Sequence, residues 1–171
     1  MNIKIIFTIN ILIIAFIGCK STPVTVNEIW VTPISDSVIR YYIPATVWQE
    51  KNSHSVICRP DMTYLNEHGR KAVFNISFFN KDTPFNEVSS VYFSSDSKNF
   101  NLDDINAMFA RVDFGELRIT SLIALDDIIN LFNSEKYLLF AVIDSVEYSF
   151  EPDKNFLQFQ KQFLEQVILP D

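Results

Sequence analysis

Apolar and polar positions alternate through most of the first half of the chain. Stretches 29–32, 38–43, 46–49, 55–58, 72–80 and 88–94 are rich in β-branched and aromatic residues, and turn-forming residues separate them. Within 72–80, Phe74, Ile76 and Phe78 share one parity while Asn75 and Ser77 take the other, which predicts a strand with one face covered. Asn66, Glu67, His68 and Gly69 lie between strand-like 62–65 and 71–79 and predict a hairpin loop, with Gly69 supplying a positive φ.

The period then changes. Leu102, Ile105, Phe109 and Val112 recur at helical spacing behind Asn101, a capping residue, with a strand over 107–114 as the alternative. Leu122, Leu125, Ile129 and Phe132 predict a helix capped by Ser121. Leu138, Phe140, Val142, Val146, Tyr148 and Phe150 keep period two across Asp144, so 137–150 reads as a long strand or a hairpin that turns at Asp144-Ser145, where a charge avoids burial. Asp153 caps a last helix with the stripe Phe156, Phe159, Phe163 and Val167, ended by Pro170 and expected to dock on the sheet. No internal repeat or long linker interrupts the pattern. The expected fold is one α+β domain over 29–171: a β-rich N-terminal half, mostly antiparallel with hairpins, packed by two or three helices from the C-terminal half.

The first residues are of another kind. Lys4 gives a positive start, 5–17 is apolar except for Thr8 and Asn10, and Gly18-Cys19 follows directly, the three-part pattern of a secretory signal. That run falls short of the roughly 20 residues needed to span a bilayer. Phe16-Ile17-Gly18-Cys19 resembles the lipobox of bacterial lipoproteins, with Phe16 where Leu is usual. The resemblance covers residues 1–19 only. It implies a signal peptide over 1–18, cleavage between Gly18 and Cys19, acylation (palmitate among the chains) of Cys19, and a tether over 19–28. Two or three acyl chains anchor stably at about 0.8 kcal/mol per buried CH₂. The implied address is the cell envelope: the outer membrane in a Gram-negative cell, since Lys20 is not the inner-membrane retention aspartate, or the outer face of the plasma membrane in a Gram-positive one.

The 171 residues carry a formal net charge of −7, and loss of Lys4 with the leader makes the balance more negative. Such a surface repels phosphate backbones, so nucleic acid is not an expected partner. Of the sixteen Phe only Phe7 and Phe16 precede Cys19, so aromatic packing should carry much of the core.

Little catalytic chemistry is written in the chain. Only Gly69 and Gly115 follow Cys19, which excludes the two glycine-rich phosphate loops and the nucleophile elbow that need several glycines. Asp113-Phe114-Gly115 reads as a turn. His54, Cys58 and His68 lack the paired spacing of a zinc site, and no metal or cofactor is expected. Cys58, between Ile57 and Arg59, reads first as a buried thiol; a nucleophile paired with His54 or His68 is the catalytic alternative. Asp103-Asp104 and Asp126-Asp127 read as carboxylates at helix starts. Trp30, Arg40, Tyr41, Tyr42 and Trp48 cluster in the first strands, either as a recognition patch or as core β-formers, with about half of the aromatics expected inside. The favoured reading is a noncatalytic, lipid-anchored domain that binds another envelope protein or a surface ligand and presents an exposed aromatic patch. A small envelope enzyme using Cys58 and an immunity or inhibitor lipoprotein are the alternatives.

Overall fold

The structure, a computed structural model, describes residues 28–52, 55–67, 70–96 and 98–168. The leader with Gly18 and Cys19, the tether up to 27, His54, His68, Gly69 and Pro170 lie outside the described residues. The strands are β1 (Trp30–Pro33), β2 (Ile39–Ile43), β3 (Trp48–Glu50), β4 (Val56–Leu65), β5 (Lys71–Asn80), β6 (Val88–Ser95), β7 (Asn99–Asn101), β8 (Asp103–Arg111), β9 (Glu116–Ala124), β10 (Tyr137–Ile143) and β11 (Val146–Glu151). Helix α1 (Leu125–Phe132) sits between β9 and β10, and α2 (Lys154–Ile168) follows β11.

Every described strand pairing is antiparallel, in the order β7-β6-β10-β11-β3-β4-β5-β9-β8. Leu102 alone separates β7 from β8, so one segment pairs first with β6 and then with β9, and the sheet curls into a nearly closed barrel. Strand β4 shares one edge between two partners, β3 at Ile57 and Cys58 and β2 from Met62 to Leu65, while β1 pairs with β2. Pro60 falls in the gap between those partners, where a residue without an N–H costs no ladder bond on that edge. That is why the two strands expected at 55–58 and 62–65 are one continuous strand.

Inward positions alternate along each strand and meet in one cluster. Phe74 and Phe78 of β5, Phe93 of β6, Leu139 of β10, Phe150 of β11 and Trp48 of β3 are fully buried. Helix α2 lays Phe156, Phe159 and Phe163 on this cluster: the Phe156 ring is edge-on to Trp48 at 4.8 Å, and Phe163 is edge-on to Tyr41, Tyr64 and Phe132 at 5.9 to 6.1 Å. The expected docking of the last helix is therefore observed. So is its cap, since the Phe156 N–H donates to the Asp153 carboxylate at 2.9 Å. A buried relay ties both helices to the sheet: the Tyr137 hydroxyl donates to Gln160 Oε1 at 2.7 Å, and Gln160 Nε2 donates to the Phe132 carbonyl at 2.6 Å.

The chain is α+β and β-rich, but the strands are not confined to the N-terminal half. The helix expected from Leu102 to Val112 is strand β8; the alternative, a strand over 107–114, holds up to Arg111, and Val112–Phe114 form a 3-10 turn. Asp103 and Asp104 therefore start no helix; Asp104 has φ +51° beside a register shift, as in a bulge. Ser121 caps nothing. It lies inside β9, donating to the Phe74 carbonyl at 3.1 Å, and α1 begins directly after the strand with Leu125, Ile128, Leu131 and Phe132 buried and Leu122 left in β9. Asp126 and Asp127 do occupy the first helical turn, bridged to Arg70 and Lys98.

Between β10 and β11 the pairing of Ile143 with Val146 leaves a two-residue turn, Asp144 at φ +48° and Ser145 at φ +69°. The Asp144 carboxylate also accepts from the backbone N–H of Asn86 and Glu87, at 3.1 Å each, pinning the loop before β6. Ser145 has no such task, and its Cβ disfavours the left-handed region. Ser145→Gly is expected to stabilise the fold by about 0.5–1 kcal/mol, read as a higher urea midpoint at constant m-value.

Candidate functional site

The five residues singled out in the first strands divide by parity. Tyr41 and Trp48 point inward, Trp48 fully buried with its indole N–H donating to Thr46 Oγ1 at 2.9 Å. Trp30, Arg40 and Tyr42 point outward. Trp30 is opposite Tyr42 across β1 and β2, their rings 5.2 Å apart and tilted by 44°, and Trp30 is 53% exposed. Half of the four aromatics are thus core and half surface.

The outward face continues onto a polar cluster that composition and spacing did not reveal. Asp61 lies on the outward side of β4 yet is buried, accepting from Asn75 Nδ2 at 2.9 Å and from Arg118 at 2.6 Å. Arg118 also donates to Ser77 Oγ at 2.9 Å. Three strands supply this network: β4, β5 and β9, hydrogen-bonded side by side. Short charge-assisted bonds offset the desolvation of the carboxylate, and removing one partner would strand the other. The Tyr42 hydroxyl feels both charges: partial burial and Asp61 push its pKa up, and Arg118 pulls it down. Arg59, two positions along β4, places its guanidinium 4.9 Å from the centre of the Phe79 ring. The result is a surface with an aromatic pair at one side, an ion pair at its base and the exposed Arg40 and Arg59 along it.

Elsewhere a groove of about 470 Å³ is lined by the ends of β6, β10 and β11 and the start of α2. Leu138, Phe140, Pro152 and Leu157 give it an apolar floor, and Lys51, Lys136, Asp96, Glu135 and Glu151 give it a mixed-charge rim. Neither Cys58 nor any of the patch residues lines it.

Cys58 sits on the inward side of β4, opposite Phe78 and Trp48, with no exposed surface. Burial pushes its thiol pKa well up from the ordinary value, the reverse of what a thiolate nucleophile needs. The sign of the linkage follows: a thiol held neutral in the fold supports stability below its ordinary pKa near 9 and loses that support as pH rises beyond it. We expect alkylation of Cys58 to be slow at neutral pH in the native chain and fast in denaturant, and expect stability to decline above pH 9 less steeply in Cys58→Ala. Rapid native alkylation would refute the burial.

Among the described residues no three His, Cys, Asp or Glu side chains gather as metal ligands do, and no helix is long and apolar enough to cross a membrane. Compared with family models, with curated proteins and with solved structures, the chain matches none.

Proposed function

We propose that this chain is a noncatalytic, lipid-anchored cell-envelope protein that binds another envelope protein, or a surface ligand, through the outward face of β1, β2, β4, β5 and β9. The anchor reading is supported by the sequence from Lys4 to Cys19, and the binding reading by one observation above others: a half-exposed Trp30 braced on Tyr42 beside the ion pair of buried Asp61 with part-buried Arg118. Trp, Tyr and Arg dominate binding energetics because each joins apolar area to a polar end, and a large exposed aromatic is costly to leave in water. The ion pair holds the floor rigid, so little ordering cost remains for the partner to offset. Arg40 and Arg59 stand out on an acidic chain and suit a partner that presents carboxylates.

The anchor and the patch are separable by experiment. Labelled fatty acid should enter the chain, and Cys19→Ser should move it from the membrane to the soluble fraction. A partner cross-linked to the wild-type chain in intact cells should be lost with Trp30→Ala or Arg40→Glu while the thermal midpoint moves by no more than about 4 °C. Retention of that partner by both variants would remove the patch from the proposal; unlabelled, membrane-bound Cys19→Ser chain would remove the anchor.

A further inference from the structure

Strand β8 differs from the barrel's other long strands. Strands β4, β5, β9 and β10 each bury a continuous row of side chains, whereas in the nine residues of β8 only Ile105 and Phe109 are even half-buried. One edge of β8 pairs with β9. Along the other edge the last cross-strand bond is from Leu102 N–H to the Val91 carbonyl, at 3.1 Å, and Asp104 just beyond it has a positive φ. Among the described residues the outer backbone groups from Ile105 to Arg111 meet no further strand.

Open edges recruit other strands, and proteins usually block them with lysine, proline or a covering element. Residues 105–110 contain no charge and no proline, and Met108 is exposed in their midst. The register shifts bend this strand but cover none of its outer groups.

Its charges indicate the occupant. Asp103 begins the strand and Arg111 ends it. Antiparallel pairing of two copies about a two-fold axis at Ala107 sets each Asp103 opposite the other copy's Arg111, and each Ile105 opposite the other's Phe109. Parallel pairing in register would oppose Asp to Asp and Arg to Arg. We propose that the chain self-associates as a two-fold dimer through antiparallel β8–β8 pairing, which joins the two sheets edge to edge. Val112 and Phe114, both highly exposed just beyond the strand, lie where such a dimer adds apolar contact.

Sedimentation of the full chain in detergent, from micromolar to millimolar, should show a monomer–dimer equilibrium. Arg111→Asp should weaken it by about tenfold or more through like-charge opposition, and Asp103→Arg with Arg111→Asp should restore it. These changes remove two long ion pairs, the exposed Lys71–Asp103 at 3.8 Å and Arg111–Glu116 at 3.6 Å, whose Glu116 is mostly buried, and the Arg111 contact with the Phe109 ring at 4.7 Å, so circular dichroism of each variant checks that the fold survives. Under mild oxidant Ala107→Cys should give a covalent dimer that the parent chain does not, and Ala110→Cys should not, because its two copies would stand about 20 Å apart. A monomer at every concentration, a dimer indifferent to both charge changes, equal cross-linking from both cysteines, or protection of β8 amides only by a different protein would each overturn the proposal.

Discussion

Trp48→Ala should cost the fold about 3–5 kcal/mol, seen as a large drop in the urea midpoint at little-changed m-value. Trp48 has no exposed surface, and its ring meets Phe156 at 4.8 Å, Phe93 at 6.4 Å and Tyr137 at 6.5 Å. It stands on β3, a strand of only three residues that joins β11 to β4, so this side chain helps to hold the most weakly laddered part of the barrel. Alanine leaves a void that a sheet closed on both sides cannot collapse to fill. Trp48→Phe keeps most of the apolar volume but leaves the buried Thr46 hydroxyl without the indole N–H, so its cost should be smaller, about 1–3 kcal/mol. Trp30→Ala supplies the contrast: at half exposure its cost should stay within about 1 kcal/mol. Equal losses at Trp30 and Trp48 would contradict the division of the two tryptophans between surface and core.

Gly115→Ala is the second large effect, expected at about 2–5 kcal/mol. Gly115 closes the turn between β8 and β9, accepts a hydrogen bond from the Asn80 N–H at 3.1 Å, and has φ +59°. A Cβ there would lie 2.1 Å from the Asn80 carbonyl oxygen, a backbone atom that cannot step aside without moving the end of β5. Left-handed strain adds about 1–2 kcal/mol and the overlap a further 1–3. Thermal unfolding followed by circular dichroism measures the loss directly. An alanine variant as stable as the parent would mean that the turn is held otherwise than described.

Where turn chemistry and apolar period agreed, local sequence was enough. Asp144-Ser145 read as a bend or tight turn, because burying charge at that point of a period-two run would be costly and turns favour both residue types. The last helix was legible for the same reason: a capping Asp153 and a phenylalanine stripe point to one answer. Strand β8 was misread because its two register shifts each add a residue, turning a spacing of two into three or four, which is also the spacing of a helix. The start of α1 was misplaced because β9 runs into it with no loop, so the two periods overlap at Ser121 and Leu122.

The sequence by itself determined which segments alternate, which residues turn the chain, and that Cys58 sits in a strand. It could not decide faces, since Tyr41 and Tyr42 are neighbours of one type and only the register against β4 sends one inward and the other outward. Nor could it pair Asp61 with Arg118, 57 positions apart, whose meeting depends on β5 lying between their strands. Local propensity acts over a few residues. Burial and charge pairing are set by partners that only the folded sheet brings together.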